Sequence, residues 1–125
     1  MAMRWFNRPK PKEIWEEPVA WPIGDIDAAH RIRDICRSAA DSAAKAGVAS
    51  KNQQHEFQRY ERAARAAMET AMKIGDDLLR DTAVRQIIEL CLTADDARTA
   101  RILFRAIQAQ SIREDVLREH PLLAQ

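Results

Sequence analysis

Acid–base, nucleophilic or metal chemistry in this chain of 125 residues would have to start from three histidines, two cysteines and 19 carboxylates. Asp27, His30 and Asp34 stand three and four residues apart. A helix would bring them to one face, where an imidazole between carboxylates is the arrangement of a metal ligand set or a general base. The same spacing describes a solvated helix face, with Asp27 near the positive end of the helix dipole, and that is the reading adopted here. His55-Glu56 opens like a zinc-protease signature, but Arg59 stands where the second histidine must face the metal. Ser42-Ala43-Ala44-Lys45 has the Ser-x-x-Lys spacing of penicillin-binding enzymes without their Ser-Asp-Asn and Lys-Thr-Gly partners. There is no Gly-rich phosphate loop and no Cys-x-x-Cys pair. The chain therefore reads as a non-enzyme, with no catalytic residue, no cofactor and no metal site expected.

Binding chemistry is better represented. Arg98, Arg101 and Arg105 share one narrow sector of a helix that follows a short turn, the position of a recognition helix. They make nucleic-acid binding the alternative function. Asp95 and Asp96 precede that stripe, however, and the turn has no glycine. A second stripe, Arg59, Arg62 and Arg65, lies within helical reach of Glu56, Glu61 and Glu69, so ordinary i,i+3 and i,i+4 pairing is expected there.

The strongest candidate for function is the N-terminal segment. Its first 24 residues hold Pro9, Pro11, Pro18 and Pro22 together with all three tryptophans. Proline fixes φ and removes a donor, so this arm is expected to be extended. Trp5, Phe6, Trp15 and Trp21 are four of the seven aromatics, in a stretch too rich in proline to build its own core. They are the expected partner-binding residues. Trp15 and Trp21 have an alternative, docking on the chain's own helices, where each would bury on the order of 150–250 Å². Trp5 and Phe6 lie beside Arg4, Arg8, Lys10 and Lys12 and are better suited to another chain.

What must position these groups is a set of helices. From Asp25 onward only Gly47, Gly75 and Pro121 interrupt a helix-forming composition. A first helix is predicted from Asp25, as N-cap, to Gly47, with a seam of Ala29, Ile32, Cys36, Ala39, Ala43 and Ala46. A second opens on Ser50-Lys51-Asn52-Gln53 as a capping box, with a seam of Phe57, Tyr60, Ala64, Ala67, Ala71, Ile74 and Leu78. That phase runs through Gly75, which predicts one helix over 51–79, about 44 Å long, with a break at Gly75 as the alternative. The two Ala seams predict an antiparallel αα-hairpin with closely spaced axes. A short third helix is expected over 82–92. A fourth, capped within Thr93–Asp96 and running to about Gln110, should lie in the middle. A brief last helix would start on the Ser111–Glu114 capping box and end at His120-Pro121, with a loose tail after it.

The expected fold is therefore all-α: an up-and-down bundle of about four main helices over 25–125, preceded by the arm at 1–24. Lys and Arg total 20 against 19 Asp and Glu, which leaves no global field to recruit nucleic acid or an anionic membrane. Cys36 and Cys91 read as reduced, buried thiols of a cytoplasmic protein, and no apolar run approaches the ~18 residues of a membrane span. The function these features predict is hydrophobic docking on another protein, most simply an identical chain in a symmetric dimer.

Overall fold

Small side chains decide which helices come close in the computed structural model, which describes residues 12–124. Helix α1 (Asp25–Ala46) buries Ala28, Ile32, Ile35, Ala39, Ser42, Ala43 and Ala46, and α2 (Gln53–Ala71) buries Tyr60, Ala63, Ala64, Ala67, Thr70 and Ala71. The two helices pack against each other across the link 47–52. At one end Gln53 Nε2 donates to the Ala46 carbonyl at 3.0 Å. At the other, the Asp25 carboxylate accepts from the backbone N–H of Gly75 at 3.0 Å and of Asp76 at 2.8 Å.

Helix α3 (Asp77–Thr93) is the centre of the molecule, in contact with α1, α2, α4 (Ala97–Ala106) and α5 (Gln110–Glu119). Its buried residues include Val84, Ile87, Ile88, Leu90 and Cys91. Asp76 caps it by accepting from Leu79 N at 2.9 Å. Gly47, at the end of α1, lies so close to the end of α3 that a Cβ there would stand 2.7 Å from the Thr93 carbonyl oxygen. Two 3₁₀ turns, Ile14–Glu16 and Pro121–Ala124, bury Trp15 and Leu123 against this body. The described residues form an all-helical structure without strands, five helices packed together. None of these helices is long and apolar enough to cross a membrane.

Several boundaries differ from those read in the sequence, and each difference has a tertiary cause. The second helix ends at Ala71 instead of residue 79. The chain turns through Met72–Asp76, with Ile74 buried and the Gly75 and Asp76 amides satisfied by Asp25. Asp25 is accordingly not an N-cap; Gly24 is, and the Asp25 carboxylate is spent on the far end of α2. Helix α3 starts five residues earlier than expected because Asp81, taken as a helix start, is a fully buried residue inside it. Leu78, read as a seam residue, is 61% exposed.

Neither capping box forms: the residues preceding α2 and α5, Asn52 and Ala109, make no side-chain cap. Gln53 reaches back to α1 instead, and the start of α5 is satisfied by Asp81, whose Oδ2 accepts from Gln108 N at 3.1 Å and Ala109 N at 2.8 Å. That contact also stops α4 at Ala106, short of Gln110. Arg113 completes the corner by donating to the Phe104 and Ile107 carbonyls while its guanidinium stacks 4.5 Å from the Phe104 ring. Helix α4, expected in the middle, leaves Ile102 exposed, and it is the third helix, α3, that contacts the other four. The segment before α1 is not uniformly extended, since residues 14–16 turn to bury Trp15, and the tail is held by Leu123.

Candidate docking surface

Residues 13–17 of the N-terminal segment are tied to the bundle by two arginines. Arg59 on α2 grips Glu13 through two parallel hydrogen bonds, Nε to Oε1 at 2.7 Å and Nη2 to Oε2 at 2.8 Å, the fork geometry that suits a carboxylate. Its third donor reaches Ser42 Oγ at 2.6 Å, and its guanidinium lies 5.3 Å from the Trp15 ring. The Arg59 guanidinium holds the Glu13 carboxyl below its usual range. From α1, Arg31 donates to the Ile14 and Glu17 carbonyls at 3.4 and 2.9 Å. Trp15 is thereby packed into the chain's own core, at 7% exposure. Arg59 pairs with Glu13 and not with Glu56 as its spacing suggested.

Trp21 is the aromatic that remains outside. It is 48% exposed, with Lys73 Nζ 5.8 Å from its ring centroid. Lys73 belongs to the turn between α2 and α3, which Asp25 ties to the start of α1. That end of the bundle also presents Ile26, Met72 and Leu78, exposed by 63%, 73% and 61%. Four of the seven exposed large apolar side chains among the described residues therefore gather at one end. Lys73, Arg80, Asp27 and Asp77 belong to the same chain segments, and Arg80 pairs with Asp77 at 3.1 Å. Asp25, whose two backbone donors hold its carboxyl below the usual range, clasps the start of α1 to the turn between α2 and α3.

Of the partner-binding residues read in the sequence, Trp21 is thus at a surface, Trp15 is internal, and Trp5 and Phe6 lie outside the described residues. The sequence reading missed Ile26, Met72 and Leu78. Leu78 was hidden by its agreement with the helical phase of α2, and Met72 by lying in what appeared to be the middle of a helix. Their signal was Gly75, the residue at which that phase had an alternative break.

The groups considered for chemistry do not assemble. Asp27 and His30 are exposed on α1, and Asp34 sits 3.7 Å from Arg33. His55 is exposed. Cys36 and Cys91 are free thiols, pushed up to about 12 and about 11 by burial, and so stay protonated. Tyr60, also raised by burial, donates to Asp96 Oδ2 at 2.7 Å and so fixes the N-cap of α4, whose Oδ1 accepts from Thr99 N. Arg98, Arg101 and Arg105 line one side of α4 and make no ion pair among the described residues. The one group of metal-type donors that converges among the described residues is elsewhere, at Glu89, Glu119 and His120. No protein-family model, no curated protein and no solved structure matches the chain, so its surface has to be read from its own geometry.

Proposed function

We propose that this protein is a non-enzymatic interaction module that docks through the apolar end of its bundle, most simply onto a second copy of itself in a symmetric dimer. The observation that carries the reading is the gathering of Trp21, Ile26, Met72 and Leu78, each about half exposed or more, around one turn. Exposed large apolar side chains scattered singly are ordinary, whereas four at one place favour burial against a partner. A stable interface takes about 800 Å² from each partner, with an apolar centre and a polar rim. The four side chains supply the centre. Lys73 and Arg80 beside Asp27 and Asp77 supply a rim of both signs, so a copy related by a two-fold axis meets opposite charge.

The Ala seams take no part in this docking, because Ala39, Ala43, Ala63, Ala67 and Ala71 are buried within one chain. The finer architecture, an up-and-down bundle built on an antiparallel hairpin of α1 and α2, is supported by the Asp25 contacts at one end and Gln53 at the other. A cytoplasmic setting suits the two protonated thiols. Light scattering on the whole chain and on Leu78→Glu tests the docking reading. The variant, exposed in the free chain, should fold normally and halve the mass.

A second reading, nucleic-acid binding through Arg98, Arg101 and Arg105, is favoured by one observation: these three cations are unpaired among the described residues. It predicts duplex binding that weakens steeply with salt and is lost when all three become Gln.

A further inference from the structure

Glu89 on α3, Glu119 in the last turn of α5 and His120, which caps that helix, each offer one donor atom, and these atoms all lie within 4.8 Å of one another. His120 Nε2 is 2.8 Å from Glu89 Oε1 and 4.0 Å from Glu119 Oε2. Donors around a tetrahedral zinc stand about 3.3 Å apart when the bonds are near 2.0 Å, so the His120–Glu89 pair has to open by about 0.5 Å and the His120–Glu119 pair to close by about 0.7 Å, shifts that side-chain rotation supplies. We propose that these residues form a binding site for a divalent transition metal, zinc being the best match for one imidazole and two carboxylates. Three protein donors leave a position open to water or another ligand.

Two further features distinguish the cluster from a chance meeting of surface charges. Arg85 donates to Glu119 Oε1 at 2.5 Å and lies 3.8 Å from Asp115, so it holds the carboxylate from behind and leaves Oε2 turned toward His120. An outer contact of this kind orients a metal-ligating carboxylate. The cluster also sits on the C-terminal end of α5, where the helix dipole is negative and the His120 N–H already bonds to the Val116 carbonyl at 2.8 Å. Two carboxylates and a negative helix end make an electrostatic well that one arginine only partly fills. Binding replaces the His120–Glu89 hydrogen bond: the metal takes the Nε2 lone pair, and the imidazole proton resides on Nδ1. With Glu89 and Glu119 side chains nearly half exposed, the metal enters directly from solvent.

Isothermal titration of ZnCl₂ into the full chain tests this, repeated on Glu89→Gln, His120→Gln and a control carrying His30→Gln with His55→Gln. The expected result is one equivalent bound by the parent and by the control, with affinity lowered at least tenfold in Glu89→Gln and in His120→Gln. Absence of binding in the parent, retention of parental affinity in His120→Gln, or loss in the control would each overturn the proposal. A measurement on the unmutated chain guards against a folding defect: substoichiometric Co²⁺ should shift the imidazole resonances of His120 and leave those of His30 and His55 in place, and the opposite pattern refutes the site.

Discussion

Replacing Asp81 by Ala should be among the most destabilising single changes in the chain. Its carboxylate has 0% exposure and accepts from the Gln108 and Ala109 amides at 3.1 and 2.8 Å, the two donors at the corner where α4 ends and α5 begins. Hydrogen bonds to an ionised group contribute about 1.5–3 kcal/mol each, so the pair offers roughly 3–6 kcal/mol, from which the cost of keeping a carboxylate out of water must be subtracted. Part of that cost is offset by Arg80, whose Nε lies 3.7 Å from Oδ1. Removing the carboxylate leaves two amides without an acceptor, and a net loss of about 3 kcal/mol is expected for Asp81→Ala.

Asp81→Asn keeps an oxygen in the same place and exchanges charged hydrogen bonds for neutral ones, which should cost only about 1 kcal/mol. Urea unfolding followed at 222 nm measures both, and with a slope near 1.5–2 kcal/mol/M the Ala variant should unfold about 1.5–2 M earlier than the parent. Amide exchange gives a local readout, since Gln108 and Ala109 should lose protection first. A shift below about 0.5 kcal/mol for Asp81→Ala, or equal losses in the two variants, would refute the assignment of Asp81 as the acceptor that holds the corner.

Gly47→Ala should destabilise by about 1–3 kcal/mol, because the new Cβ would lie 2.7 Å from the Thr93 carbonyl oxygen and both elements there are backbone; thermal unfolding checks it, and an unchanged Tm would show that the ends of α1 and α3 are free to part. Acidification should release the N-terminal turn before the bundle unfolds. The folded-state values of Glu13 and Asp25 are both depressed, so their contributions are complete above the ordinary values of 4.5 and 3.8 and are lost as the pH falls through the lower folded ones. Trp15 fluorescence should therefore change in acid below about pH 4 while helicity persists, and Glu13→Gln should already show the acid spectrum at neutral pH.

The parts of the structure legible in the sequence are those set by local pattern. The helical class, the end of α1 at Gly47, a cap for α4 within Thr93–Asp96 and most seam alanines follow from spacing and composition alone. What was not legible depends on carboxylates acting across the chain. Asp25 and Asp76 are 51 residues apart, and Asp81 and Ala109 are 28 apart, yet each pair fixes a helix boundary that local propensity places elsewhere. In the sequence both aspartates have an obvious local role as helix starts, and that role hid the one they serve. The candidate surface was half legible: tryptophans near prolines marked the region, but Arg59, assigned to its own helix face, holds the turn that carries Trp15 against the bundle. The Glu89–Glu119–His120 cluster had no local spacing to reveal it, since 30 or more residues separate Glu89 from its companions.

The central claim is that the end bearing Trp21, Ile26, Met72 and Leu78 docks on a second copy, and the solution mass tests it most directly. Multi-angle light scattering on the whole chain, at low and high salt, should give twice 14.3 kDa in both, because apolar burial is not screened. Leu78→Glu should give 14.3 kDa with an unchanged far-ultraviolet spectrum. A whole chain that is monomeric across the micromolar range, or a dimer that survives Leu78→Glu unaltered, would contradict the account.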